Sequence, residues 1–449
     1  MAGQPAALLK AGFRFITGSS ARQGYLAAVD QAAISLANFL ATLLLARYAT
    51  PTELGVYAVG FVALNLIRNT MEGILIQPLN VIGAAMEPER FSQYVSSAAL
   101  LQLGLASVAS AIAVFGGWLL TRLGNDTAGP AFFSLWSVFL LWPMQEYVRR
   151  VLYTRGHILP AVGNTLLASL VRLGLMVFWI SSHTLNGARG LQAVAWGAGA
   201  GLCWGLLANR KVWSLRNLQP RQVWSLNWDF GKWMMGGTIT NWASVEFYPV
   251  LTAGMISFAA AGAYRALQNL VAPIHMLLRA TDTFLTPRAA RDYQSQGSAS
   301  LIRTLRSIYL VNGLPVMAML LTALFFPRQI LRLFYGDTYL PYSTGIIYMS
   351  IFYALWFAYW PLQTALKACR VSRPIFIANS LAIGVMFTLG ILAIRMWGVY
   401  GTIIGQIMNA LAINVILWSA WRGLRQSWKN EAPSAADDRS TPSSTDTQR

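Results

Sequence analysis

The chain has 449 residues, 55% of them hydrophobic and 11% charged. Soluble domains carry about 25% charged residues, so this composition takes lipid as its solvent and excludes an ordinary soluble enzyme. The remaining charge is lopsided, with 34 Lys and Arg against 16 Asp and Glu, a formal +18. That excess fits nucleic-acid binding, orientation in a membrane or attraction to an anionic substrate, and the position of each charge decides among them.

A spanning helix needs about 20 mostly apolar residues. Twelve runs qualify: 25–46, 55–84, 95–120, 131–148, 158–181, 190–208, 233–257, 260–286, 307–327, 343–366, 374–394 and 400–421. The expected fold is therefore an all-α polytopic membrane protein. Residues 1–24, with Leu9, Phe13 and Ile16 on one helical face among basic residues, are expected to form an interfacial segment on the inner leaflet. The first span ends in Arg47–Pro51 without a small-residue cleavage site, which predicts an uncleaved span. The seventh and eighth spans nearly merge around Ser257–Gly262.

With the N-terminus inside, 22 of the 34 basic residues fall in cytoplasmic segments and 6 on the far side. This split predicts cytoplasmic N- and C-termini and accounts for most of the positive charge without a nucleic-acid partner. The loop at 209–232 divides six spans (25–208) from six more (233–421). Residues 422–449 are expected to be a basic and then disordered tail. Cys203 and Cys369 form no disulfide or metal pattern.

The two halves share a faint repeat. Gly55-Val56-Tyr57 opens the second span with Pro78 downstream, and Gly262-Ala263-Tyr264 opens the eighth with Pro287 downstream. Such duplication is common in transporters. The stretch Ala46-Arg47-Tyr48-Ala49-Thr50-Pro51-Thr52-Glu53-Leu54-Gly55-Val56-Tyr57 resembles the first-loop signature of polysaccharide transporters in the multidrug/oligosaccharidyl-lipid/polysaccharide (MOP) flippase superfamily. Gly262–Tyr264 with Pro287-Arg288, and Gly398-Val399-Tyr400-Gly401, fit the same pattern, so that the resemblance runs from about Asp30 to Trp421. It implies two pseudo-symmetric six-helix lobes around a central cavity and flipping of lipid-linked oligosaccharides such as O-antigen units. The peptidoglycan-precursor branch of the superfamily usually has two further spans, whereas the multidrug branch shares the span count.

Charges at bilayer depth are costly and mark cavities or partners. In the second span Asn65, Arg68, Asn69 and Glu72 recur at helical spacing as one polar stripe. The eighth span repeats the device with Arg265, Gln268, Asn269, His275, Arg279, Asp282 and Thr283. The first adds Gln31, Ser35, Asn38 and Thr42, and the seventh Thr238, Asn241 and Tyr248. Arg68, Arg265 and Arg279 are the expected holders of an anionic head group, because guanidinium stays charged and forks onto phosphate. The competing reading makes Arg68–Glu72 and Arg279–Asp282 one-turn ion pairs. Arg172 faces either the cavity or Glu146. His275 is a packing histidine or a proton site, and Asp30, Glu72, Glu246 and Asp282 are candidates for ion coupling. The aromatic tenth span, from Tyr348 to Trp360, suits the membrane interface or sugar stacking.

No Walker lysine, metal-ligand spacing or nucleophile elbow occurs, so neither a cofactor nor an enzymatic activity is expected. The expected function is export of an undecaprenyl-pyrophosphate-linked oligosaccharide across a bacterial inner membrane by alternating access. Its partners are the lipid-linked substrate with its anionic pyrophosphate, membrane lipids, and the glycosyltransferases and polymerase of polysaccharide assembly. The alternatives are a multidrug cation antiporter of the same fold and an integral-membrane polymerase or ligase. The first calls for a carboxylate-dominated cavity, the second for a large outside loop.

Overall fold

A computed structural model describes residues 19–214, 216–369, 371 and 373–437. At 19–24, 233, 241, 245, 276, 279–288, 290–292, 296 and 429–437 it describes the helical backbone and not the side chains. The expected interfacial segment therefore lies mostly outside the described residues, as do the side chains of Asn241, Arg279, Asp282, Thr283, Pro287 and Arg288.

The first lobe is built from α1 (Ser19–Tyr48), α2 (Pro51–Met71), α3 (Pro88–Arg122), α4 (Ala128–Thr154), α5 (Ile158–Ser181) and α6 (Gly187–Ala208). A π-helical turn, Glu72–Ile76, and a short helix, Gln77–Val81, prolong α2. The second lobe holds α7 (Pro220–Glu246), α8 (Tyr248–Met255), α9 (Phe258–Val271), α10 (Pro273–Phe325), α11 (Pro327–Tyr335), α12 (Ser343–Ala368), α13 (Arg373–Val385) and α14 (Ile391–Asp437). The sequence spans map onto these helices in order. The seventh span is divided into α7 and α8 at Phe247, just before Pro249, whose ring cannot continue the α-helical bonding. The eighth is α9 and the start of α10. The ninth follows the break in α10 at Gly297, and the twelfth follows that in α14 at Gly398. About half of the expected linker is already helix, because α7 starts at Pro220. Helix also continues through Asp437, beyond the start of the expected tail.

Eight described stretches are long and apolar enough to cross a membrane on those criteria alone, and the last of them, Arg373–Trp428, contains two spans. The fourth, seventh and eighth spans are not among them, and the last two are divided between helices and include side chains outside the described ones. Glu146 and Arg149 of the fourth, Glu246 of the seventh and Arg265 of the eighth face the inside of the protein.

The repeat has a three-dimensional meaning. Thr50 caps α2 by accepting the amide of Glu53, and Ser257 caps α9 by accepting that of Ala260. Five residues after each cap comes the repeat glycine, and two further on the repeat tyrosine. The glycines meet across the lobe boundary. A methyl group on Gly55 would lie 1.7 Å from the Phe258 carbonyl oxygen, and one on Gly262 would lie 1.9 Å from that of Pro51. Both positions thus require glycine for backbone contact. Farther along α2, the π turn lies on α7: a methyl on Gly73 would sit 2.5 Å from the Met235 Cα. In this way α2 joins the lobes at both ends, and the central cavity lies beside it.

Candidate functional site: a basic cavity between the lobes

A cavity of about 380 Å³ opens between the lobes, lined by α1, α2, α4, α5, α6, the α7–α8 junction, α9, the start of α10 and α12. Of the residues expected there, Asn38, Asn65, Arg68, Arg172, Glu246, Arg265, Gln268 and Asn269 line it, together with Gln31, Ser35 and His275. The two repeat-related stripes, on α2 and α9, therefore do face a common space.

Three expected residues sit elsewhere. Asn69 donates to the Asn65 carbonyl, and its own carbonyl accepts from Thr238 at 2.9 Å, so it belongs to the seam between α2 and α7. Glu72 opens the π turn and accepts from the Gln77 amide nitrogen at 3.1 Å, five residues on, as π winding permits. It makes no ion pair with Arg68, so the one-turn pair weighed for these two is not formed. Asp30 is buried behind the cavity wall, bound by the Arg149 guanidinium and by the Tyr153 hydroxyl at 2.6 Å.

Arg149, one of the basic residues that the charge count assigns to a cytoplasmic segment, is buried within the protein. It bridges Asp30 and Glu146, and Arg150 completes the network by donating to Glu146 at 2.8 Å. Both arginines line the cavity. The spacing Glu146-x-x-Arg149-Arg150 was the available signal, since acids and bases three and four residues apart share a helix face. This network also settles the partner of Arg172. Glu146 is occupied, and Arg172 instead donates to the Asn38 side chain at 2.7 Å and to the Tyr57 hydroxyl.

Arg265 donates to Gln268 at 2.8 Å, and its guanidinium stands 5.5 Å from the ring centre of Phe61. Gln268 in turn donates to the Tyr264 hydroxyl at 3.4 Å. Arg68 makes no hydrogen bond or ion pair among the described residues. One feature unites Arg68, Arg172 and Arg265: in each, the Nε–H is buried and has no hydrogen-bond partner among the described residues. All three residues line the cavity, Arg172 and Arg265 with side-chain partners and Arg68 without one among the described residues, so positive charge is gathered at its wall. Counting Asp30 behind the wall, the described ionised groups are Arg68, Arg149, Arg150, Arg172 and Arg265 against Asp30, Glu146 and Glu246, a net +2.

His275 lines the cavity wall with Tyr353, whose hydroxyl lies 3.1 Å from His275 Nδ1, and packs edge-on against Trp356. Cys203 and Cys369 are both free thiols. No cluster able to hold a metal occurs among the described residues.

With this geometry in hand, the fold can be compared with known structures. An inward-facing multidrug transporter of the MATE family and MOP superfamily is similar, with TM-score 0.63 and 13% identity over 97% of this chain and 100% of that one. The chain has the MOP-transporter fold. The lipid II flippase MurJ in an inward closed conformation is similar with TM-score 0.63 and 14% identity, over 87% of this chain and 86% of that one. A MOP transporter from Pyrococcus furiosus, described as having a binding pocket of reverse polarity that suggests a different function, is similar with TM-score 0.59 and 14% identity, over 90% and 95%. No family model matches the chain, and no curated protein matches it. The protein is thus a multi-pass membrane protein sharing one architecture with drug transporters and a lipid flippase.

Proposed function

We propose that the chain is a flippase for a lipid-linked oligosaccharide, and that its cavity arginines hold the pyrophosphate. The observation that carries this reading is that Arg68, Arg172 and Arg265, drawn from both lobes, line one cavity, with Arg68 free of any hydrogen-bond or ion-pair partner among the described residues. A pyrophosphate diester brings two negative charges and many acceptor oxygens, which match the net +2 and the forked donors. The amide side chains around them, Asn38, Asn65, Gln268 and Asn269, offer the paired donors and acceptors that sugar hydroxyls require. The lipid tail stays in the bilayer while the head group crosses between lobes that alternate in access. With the termini in the cytoplasm of a bacterial inner membrane, the potential favours outward passage of the anion by about 2.3 kcal/mol per charge per 100 mV.

The second reading, a cation antiporter, draws on the MATE neighbours and on Glu246, a cavity carboxylate without an ion-pair partner among the described residues. The charge balance opposes it, because a cation would enter a space that is already positive.

The test uses the full chain in liposomes with a fluorescent polyprenyl-pyrophosphate oligosaccharide and, separately, an organic dye cation. Transport of the lipid, reduced at least tenfold by Arg68→Ala and by Arg265→Ala, is the expected result, since a hydrogen bond to a charged group contributes about 1.5–3 kcal/mol. Dye transport that depends on Glu246, with no lipid transport, would assign the antiporter role instead.

A further inference from the structure

The three cavity arginines come from different helices and from both lobes, so something must hold them at one spacing. Arg172 is on α5, Arg68 on α2 and Arg265 on α9. Long side chains in a cavity lose much rotamer freedom when fixed, so a cavity that has them already fixed binds more tightly.

The second helix carries the fixing groups. Tyr57 and Phe61 are one turn apart on α2, with ring centres 5.9 Å apart and planes 30° apart. Tyr57 is 1% exposed, and its hydroxyl accepts from Arg172 Nη2. Arg265 reaches across from the other lobe and stands over the Phe61 ring at 5.5 Å. The aromatic pair is therefore a strut, with one arginine bound at each end. A guanidinium has five N–H donors, and these residues use two on Arg172 and one on Arg265 in hydrogen bonds to the protein, so donors remain for a ligand in the cavity that both line.

We propose that Phe61 is the positioning residue of the anion site, fixing Arg265 across the lobe boundary in the cavity that Arg172 also lines. A positive guanidinium is attracted to the ring face, more strongly where water is excluded, and a ring holds it without consuming its donors. A carboxylate or amide at position 61 would hold Arg265 equally well but would take up the hydrogen-bonding capacity that the ligand needs. The contact spans the two lobes, so it holds in the arrangement seen here and is lost when α9 swings away from α2. Release of the anion then accompanies opening. This inference rests on the pyrophosphate reading.

The experiment measures binding of inorganic pyrophosphate by calorimetry to the purified full chain in detergent, alongside the melting temperature without ligand. Phe61→Leu keeps an apolar side chain without the ring, and Phe61→Tyr keeps the ring. The expected result is a 5- to 30-fold weaker Kd for Phe61→Leu, the equivalent of about 1–2 kcal/mol, with affinity restored in Phe61→Tyr. Tyr57→Phe, which retains the stack and loses the hydroxyl that holds Arg172, should also weaken binding and serves as the second arm if Phe61→Leu melts early. Equal affinity in wild type, Phe61→Leu and Tyr57→Phe would overturn the strut while leaving the anion site standing. Phe61→Tyr as weak as Phe61→Leu would likewise remove the ring from the explanation. A wild-type chain that binds no pyrophosphate would overturn the pyrophosphate reading, and the role of Phe61 with it.

Discussion

At the scale of single residues, the cavity separates arginines that are neutralised from arginines that are not. Arg149 is locked between Asp30 and Glu146, 6% exposed, with all three groups out of water. Breaking such a buried arrangement from one side is expensive because it strands the partner charge. Arg149→Leu should therefore destabilise the protein by about 3–5 kcal/mol, and adding Asp30→Asn to it should recover part of that loss. Thermal melting in detergent distinguishes the cases, and an Arg149→Leu protein that melts with wild type would show that the network contributes nothing. The contrast also explains what the sequence could and could not reveal. Polar residues at helical spacing on α2 and α9 announced Arg68, Arg265, Gln268 and Asn269 directly. Arg149 was hidden because a basic residue at a span end looks the same whether it faces cytoplasm or cavity, and the distinction depends on where α1 places Asp30, 119 residues away. Tyr57 was legible as a repeat marker but not as a partner of Arg172, since that pairing depends on where the fold places α5 relative to α2.

At the scale of elements, α11 is the feature that composition alone left unnamed. The stretch after the ninth span holds a helix, Pro327–Tyr335, with Arg328 and Arg332 exposed one turn apart and Leu331 and Tyr335 buried. Phe334 packs edge-on against Phe39 of α1, with ring centres 6.2 Å apart. The Tyr335 hydroxyl donates to the Ala266 carbonyl of α9 at 3.1 Å and accepts from Asn269, which also reaches the Phe39 carbonyl. Arg47, at the end of α1, donates to the Leu333 carbonyl. The helix thus straps α1 to α9 beside the cavity, on the side that the proposed orientation makes external. With Cys203 and Cys369 replaced by Ser, a reporter Ser169→Cys on the cavity wall should be labelled slowly by an impermeant maleimide added outside. Tyr335→Phe combined with Phe334→Ala removes the Tyr335 and Phe334 attachments and leaves that of Arg47. Hydrogen bonds and edge-on ring contacts contribute about 1 kcal/mol each, so labelling should accelerate about 5- to 30-fold. Unchanged labelling would show that α11 does not close the seam. The break at Phe247 within the seventh span and the π turn in α2 stand beside Pro249 and Pro78, so the sequence marks where winding changes, whereas the form of each change depends on contact with neighbours.

At the scale of the whole molecule, two lobes that share a repeat meet through the repeat itself. Thr50 and Ser257 start the two helices, Gly55 and Gly262 let them touch, and Tyr57 and Tyr264 turn inward to reach Arg172 directly and Arg265 through Gln268. Gly-x-Tyr was readable from the sequence as a sign of duplication. That the two copies form each other's contact surface was not, because the signature says nothing about how the lobes dock. The contact makes a sharp prediction. A methyl group 1.7 Å from a carbonyl oxygen must move by about 1.5 Å or more to reach an ordinary van der Waals separation. Each lobe packs its own helices, α3 on α4 and α5 on α6 in the first, α10 on α12 and α12 on α14 in the second. The strain of Gly55→Ala or Gly262→Ala should therefore be relieved by parting the lobes at this end rather than by unfolding either one. Both variants should insert normally, label faster from outside at Ser169→Cys, and weaken pyrophosphate binding by drawing Arg265 away from Phe61. Since the two methyl groups press on the same seam, combining them should add little to either alone, whereas independent sites would add in free energy. A double variant that closes and binds like wild type would mean that the lobes do not meet at these glycines, and the cavity would then need another outer boundary.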